Sequence, residues 1–542
     1  WTSPQLVGSA ELRAPAASSY LVHGHRLSPV AGRAFARFPD ASAAIVESNG
    51  GRTFLDGFLW DEYAADVDFD GRPDVVELVA NQITAAARAR RAAPSAPELV
   101  NFSDNQAEVL RYDLPILRGV APVDATAVRV RSGQDETSWP VGDRRFRALV
   151  SLRPGDNWFT VSATTAAGEG RRYYQLRYEP QTNAKKVRLV YLVASDGNGD
   201  FDAPDGEPHD LESAKRRLRT GGRLLESFYA DRLYEAGLGR RTFRLDRDAA
   251  QVPTVHVWKT SATTAQWRAM NGAQMWTWIW GHMNEVPRCD DCKSVMILGM
   301  THYDAATGQA LAHTALGGGG VALFGSATLY SWAQDLGEVV ARFTDDRRVA
   351  TASPPLFDDS GYRGTFWANY ATGIGAVLHE LGHALDLPHP TNYENLLSRG
   401  FDHVNRLVMM REPASVTTAA IDPIRIDHEP VFSMHNANRL RFHRWLATDD
   451  RTYSVNVAPA VTRPGGDVLI TTQAGVRVVG YSVLRGDDWQ VASAVVIGGA
   501  APTTYRITPA SLDFLFPNEP QVRLLITDDQ GNINDATLVD LP

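Results

Sequence analysis

The run His379-Glu380-Leu381-Gly382-His383 constrains this chain more than any other feature. Two histidines at i and i+4 lie one turn apart on the same face of a helix, where both imidazoles can reach one metal ion. The preceding segment, residues 370–378, is largely apolar and suits a buried helix. Catalytic zinc takes three protein ligands and keeps one position open for water. Glu380 follows the first histidine, where a carboxylate can take a proton from that water. His389 stands ten residues after His379 and can supply the third ligand. Pro388 disfavours a helical Leu387, so the helix should stop near Asp386 and the chain should turn back. That turn needs one residue near 386 with positive φ, which Asp accepts better than most residues. The expected cofactor is therefore zinc, with His379, His383 and His389 as ligands and Glu380 as base. Glu394, Glu412 and Glu429 are the rival third ligands. With 14 histidines in 542 residues, chance gives an H-E-x-x-H in roughly one such chain in a hundred. A third histidine at the right offset lowers this to roughly a few in ten thousand.

A chain of 542 residues exceeds one core and should divide into domains. Residues 1–92 read as a β-rich accessory region, followed by the linker Ala92-Ala93-Pro94-Ser95-Ala96-Pro97. Residues 98–180 alternate in strand fashion and suggest a small Ig-like β-sandwich. From 187 to 447 strands and helices mix, beginning with the continuous apolar run Val187–Ala194 and a long amphipathic helix over 211–237. That mixture predicts an α/β or α+β domain carrying the zinc motif. Strand patterns return over 452–542, a second β-sandwich. The fold expectation is multidomain: a zincin-like α/β (α+β) metallopeptidase domain flanked by β-sandwiches.

The segment His379–Pro390 resembles the zinc signature of the metzincin metallopeptidases. Three other stretches, 190–200, 237–245 and 313–332, resemble a zinc metallopeptidase family best represented in fungi, as does 436–445. The resemblance covers about 187–447 and implies peptide hydrolysis. It carries over His379, His383 and His389 as zinc ligands and Glu380 as the base. Metzincins have Gly where this chain has Asp386. They also place a Met beneath the zinc; Met409, Met410 and Met434 are candidates, while Leu396-Leu397 sits at the short spacing some members use.

Five further features of the sequence bear on function. Asp66, Asp68, Asp70, Asp74 and Glu77 alternate around Gly71 like the first half of a calcium loop, so calcium is a second expected metal. Asp196–Asp202 is a weaker version of the same pattern. Cys289 and Cys292 form a lone C-x-x-C, which in an exported protein favours a short disulfide. Gly317–Gly325 suits an edge strand beside the cleft, where glycines admit a substrate backbone. Trp267, Trp276, Trp278 and Trp280 cluster, as core or as a substrate platform.

The formal charge of −9 gives no reason to expect a nucleic-acid partner. No apolar stretch is long enough for a membrane span. The start at Trp1, with no basic segment and apolar run after it, reads as a mature secreted or extracellular chain without its signal peptide. The expected substrate is a protein or peptide, with glycosylated proteins as a restricted class. The alternative is a binding or adhesion protein with a silent zinc site.

Overall fold

The computed structural model describes residues 96–541 apart from 103–107, 167 and 449–452, and four strands before them: Gln5–Leu6, Arg33–Arg37, Ala43–Ser48 and Thr53–Asp56. The expected calcium loop, Asp66 to Glu77, lies outside the described residues. The chain divides into two compact units. One comprises Trp1–Asp104, Arg118–Val128 and Val161–Tyr173; the other Asn105–Leu117, Arg129–Thr160 and Tyr174–Pro542. In the first, the four early strands form an antiparallel sheet in chain order.

The second unit holds a five-stranded mixed sheet. Its strands are β1 (Lys186–Val193), β2 (Val255–Lys259), β3 (Cys292–Leu298), β4 (Ala315–Gly318) and β5 (Val321–Gly325), in the order β2-β1-β3-β5-β4. All pairs are parallel except β4 with β5, so β4 is an antiparallel edge. The helices used below are α1 (Leu211–Glu235), α2 (Gly272–Gly281), α3 (Phe366–Ala384) and α4 (Met434–Phe442). Every residue of β1 after Lys186 is buried, because helices cover both faces of the sheet. Leu189 packs against Gly222 of α1, whose missing side chain leaves the room: a Cβ there would lie 2.8 Å from a Leu189 methyl. On the opposite face Val190, Leu192, Met296 and Leu323 share a core with Trp267, Met275 and Ile279, beside and within α2. Helix α3 packs against β4 and β5 and is buried over nearly its whole length.

Within the same unit, strands Asp135–Gly142 and Arg145–Leu149 form a hairpin. From it, buried Arg147 donates to the Met409 carbonyl (2.7 Å) and to the Glu429 carboxylate. Glu429 also pairs with Arg232 of α1 at 2.7 Å. The C-terminal segment forms an antiparallel sheet of β6 (Val476–Arg485), β7 (Asp488–Val496), β8 (Gln521–Asp528) and β9 (Ile533–Asp540), in the order β7-β6-β8-β9. A second sheet, of Ala460–Thr462, Val468–Thr471 and Thr504–Ile507, shares a core with it through Ile470, Val479, Tyr481 and Leu524. The whole is a multidomain α/β architecture of several β-sheets and a mixed α/β core. Among the described residues, no helix is long and apolar enough to cross a membrane.

Candidate metal centre

Helix α3 ends in a reversal set by hydrogen bonds. The Leu387 N–H donates to the Gly382 carbonyl (2.9 Å) and the Asp386 N–H to the His383 carbonyl (3.0 Å). This is the Schellman pattern, with a left-handed residue just past the helix. That residue is Asp386, at φ +62°. Its carboxylate accepts from Lys293 Nζ (3.2 Å) and His443 Nε2 (3.3 Å), and its carbonyl accepts from buried Arg439 (2.8 Å). Packing around the Asp386 carboxyl would raise its pKa, but the His443 hydrogen bond and the Lys293 charge outweigh this and hold it at about 2. Asp therefore does here what Gly cannot. It makes the turn and also neutralises Lys293, which is largely buried and also donates to the Ala384 carbonyl.

The reversal brings His389 back to the helix. The Nε2 atoms of His379 and His383 are 3.0 Å apart, and that of His389 lies 3.2 and 2.9 Å from them. Each Nδ1 is engaged elsewhere: His379 with the Leu396 carbonyl (3.2 Å), His383 with the Leu387 carbonyl (2.8 Å) and His389 with Asp488 (2.9 Å). An Nδ1 facing an oxygen acceptor must carry the proton, so all three Nε2 atoms point lone pairs at one another. Burial first, then the neighbouring imidazoles, hold His379 down to about 3; burial and His389 hold His383 down to about 4. Both are neutral at ordinary pH, the ligating form. Three lone pairs at this spacing repel unless a cation lies among them. The spacing suits donors about 2.0–2.1 Å from a common zinc. Among the described residues this is the one His, Cys, Asp and Glu group that could hold a metal ion.

Glu380 is 8% exposed, and its carboxyl makes no hydrogen bond or ion pair among the described residues. Burial pushes its carboxyl up to about 8. An unpartnered buried carboxylate is costly, so the fold retains it at a stability penalty. Edge strand β4 lies directly on the helix here. A Cβ on Gly317 would sit 2.3 Å from the Glu380 carbonyl oxygen and 2.8 Å from His383 Cβ, so only Gly allows the approach.

The rival carboxylates are placed elsewhere. Glu412 pairs with Arg406 (2.8 Å), Glu429 with Arg147 and Arg232, and Glu394 is exposed. Asp488 was not singled out in the sequence. It stands 99 residues from His389, at the start of β7, in a stretch with no metal-ligand spacing. The same strand holds the His389 loop by its backbone: Val491 N–H donates to the His389 carbonyl (2.8 Å), and Thr391 N–H to the Val491 carbonyl (3.0 Å). Beneath the helix, Leu397 packs against Gly382, and Phe401 meets the His379 ring edge-on at 5.0 Å. Met409 and Met410 are buried, whereas Met434 is exposed.

The other expectations resolve individually. Asp196 and Asp202 do not gather around a centre: Asp196 accepts from Thr264 (2.7 Å) and Asp202 from the Tyr303 N–H (2.8 Å), so this segment is a hydrogen-bonded turn. Cys289 and Cys292 are disulfide-bonded. Trp267 is core, while Trp280 remains 42% exposed.

Two predictions follow from the turn and from Asp488. Asn tolerates left-handed backbone, so Asp386→Asn keeps the reversal and loses only the charge; Asp386→Val adds strain of about 1–3 kcal/mol and should melt several degrees lower in thermal unfolding. The wild type's advantage over Asp386→Asn should be full above the ordinary carboxylate value and vanish as pH falls through about 2. Equal melting of the Asn and Val variants would contradict the turn. Asp488→Ala should weaken zinc affinity about 10–100-fold in chelator competition, and unchanged affinity would remove Asp488 from the centre.

The Metallopep family, described as "Putative peptidase family", matches residues 96–477. A "Putative zinc metalloproteinase" of Schizosaccharomyces pombe is 27% identical over 365 residues, 64% of this chain and 58% of that protein. One of the same description from Saccharomyces cerevisiae is 28% identical over 344 residues, 56% of this chain and 48% of that protein. The chain thus spans about half the length of the curated relatives it matches. Among solved structures, wild-type OgpA from Akkermansia muciniphila gives a TM-score of 0.38 at 15% identity, over 65% of this chain and 92% of that chain. Catalytically inactive OgpA in complex with an O-glycopeptide substrate gives 0.38 at 15% identity, over 65% and 91%. With its three-histidine cluster inside the matched region, the chain belongs to the Metallopep peptidase family and is similar to these two proteins, each described as a "Putative zinc metalloproteinase".

Proposed function

We propose that this protein is a zinc-dependent endopeptidase of the metzincin type, with His379, His383 and His389 holding zinc and Glu380 as general base. The observation that carries the reading is the convergence of three Nε2 lone pairs on a helix whose next buried side chain, Glu380, is a carboxylate without a partner. A silent structural site has no use for such a group. Zinc, when bound, supplies Lewis acidity toward the scissile carbonyl and acidifies water. A dication nearby also favours ionised Glu380, against the burial that raises it. Glu380 then takes the proton of the attacking water and passes it to the leaving amine. The i, i+3 relation puts Glu380 and His383 on one side of α3, the side that β4 covers at Gly317. The outer edge of β4 offers backbone groups to an extended peptide, which would join the sheet as a further strand.

The remaining assignments belong to the same proposal. Residues 187–447 form the zincin-like domain, with Ig-like sandwiches over 98–180 and 452–542 and the accessory region over 1–92. The Cys289–Cys292 disulfide supports an oxidising, extracellular setting. The substrate is a protein or peptide.

Hydrolysis of unfolded casein should stop with chelator and return with zinc. Glu380→Gln should keep stoichiometric zinc while turnover falls about 10²–10⁴-fold. Near-wild-type turnover in that variant, or zinc loss with the fold intact, would overturn the role given to Glu380.

A further inference from the structure

We propose that the cavity beside the Gly318–Gly320 turn is a substrate subsite for a carboxylate, anchored by Arg188 and walled by Trp280; this rests on the peptidase reading. The cavity measures about 820 Å³, and its lining includes Arg188, Trp280, Glu285, Arg288, Ser294 and Gly319. Arg188, on β1, is only 6% exposed. Its guanidinium donates to the Pro287 carbonyl (2.8 Å) and to Ser294 Oγ (3.3 Å), and its Nε has no partner. Among the described residues no carboxylate pairs with it.

That sets Arg188 apart. Arg147, Arg217, Arg232 and Arg439 are equally buried in this unit, and each lies against a carboxylate. The rule they follow is that a buried charge needs a counter-charge. The acids at the cavity are already engaged. Glu285 accepts from Ser261 Oγ (2.7 Å) and Trp258 Nε1 (3.2 Å), and Asp290 pairs with Arg288 (2.8 Å). The guanidinium that no carboxylate touches among the described residues is Arg188, which feels only the more distant charge of Asp246, and a guanidinium matches a carboxylate.

The cavity opens on the α2 face of the sheet, at the end where β4 turns into β5. Arg188, Ser294, Val321 and Gly318 form one register row across β1, β3, β5 and β4. One residue before Gly318, Gly317 touches the backbone of Glu380. A peptide added along β4 turns alternate side chains to opposite faces of the sheet. Those on the α2 face point past the Gly318–Gly320 turn toward Trp280. Its ring covers Gly319, where a Cβ would lie 3.0 Å from the ring. Trp280 is the most exposed tryptophan of its helix, so the core does not account for it. At about 4.8 Å per strand Arg188 lies about 14 Å from β4, so the carboxylate comes from a residue of the peptide beyond the turn, several positions from the cleaved bond, or from an acidic sugar attached to it.

The test is calorimetric titration of the zinc-loaded protein with a blocked tetrapeptide carrying Glu and with its Gln counterpart. Glucuronic acid and glucose are run in parallel. The expected result is about tenfold tighter binding of the Glu peptide, the acidic sugar, or both, over the neutral partner, lost in Arg188→Gln at unchanged zinc content. Preference for the peptide alone assigns an acidic side chain; preference for the sugar alone assigns an acidic glycan. Should Arg188→Gln fail to fold, Trp280→Ala, at a half-exposed position, must weaken the favoured acid several-fold. Equal binding of acid and neutral partners, or a preference that survives Arg188→Gln, overturns the proposal. Binding needs no turnover, so acid preference without casein hydrolysis would count against the peptidase reading alone, and hydrolysis without acid preference against the subsite alone.

Discussion

The left-handed turn at Asp386 is the constraint on which the rest of the centre depends. A helix can align His379 with His383, but it carries every later residue away from them at 1.5 Å per residue. Only a sharp reversal returns His389 to the same point, and the backbone pays for it with one residue at φ +62°. The structure offsets that strain by surrounding Asp386 with partners: Lys293 from β3, His443 just past α4, and Arg439 within it. Arg439 in turn is fixed by Asp535 (2.6 and 2.7 Å), so β9 also braces the turn.

Holding three imidazoles within hydrogen-bonding distance of each other requires control of their protons. Backbone carbonyls do this for His379 and His383, from Leu396, 17 residues on, and from Leu387, 4 residues on. His389 depends instead on Asp488 and on the backbone of β7. The C-terminal sheet thus takes part in the geometry of the centre.

Much of the centre was legible in the sequence because its logic is local. Helical spacing aligns two histidines, a proline marks the helix end, and an Asp at the turn fits positive φ. The glycines of 317–325 read as room for a substrate backbone on one edge strand, but the segment is the β4–β5 hairpin and Gly317 is required where it meets the helix, a contact that spacing could not reveal. What was not legible depends on pairings that no local pattern encodes. Asp488 is joined to His389 only by tertiary packing. The carboxylate of Asp386 found work with Lys293 and His443, which spacing could not reveal. Asp196 to Asp202 reads like a cation loop but spends its acceptors on backbone, hydroxyl, amide and imidazole donors, and Glu412 and Glu429, plausible ligands by distance in sequence, are taken up by arginines.

The central claim is that three imidazole nitrogens and one exchangeable oxygen make up the metal's surroundings. X-ray absorption at the zinc edge of the metal-loaded protein tests it most directly. The account predicts three imidazole scatterers and one light atom at about 2.0–2.1 Å, with no sulfur. Two imidazoles with a protein carboxylate, or any sulfur shell, would contradict it.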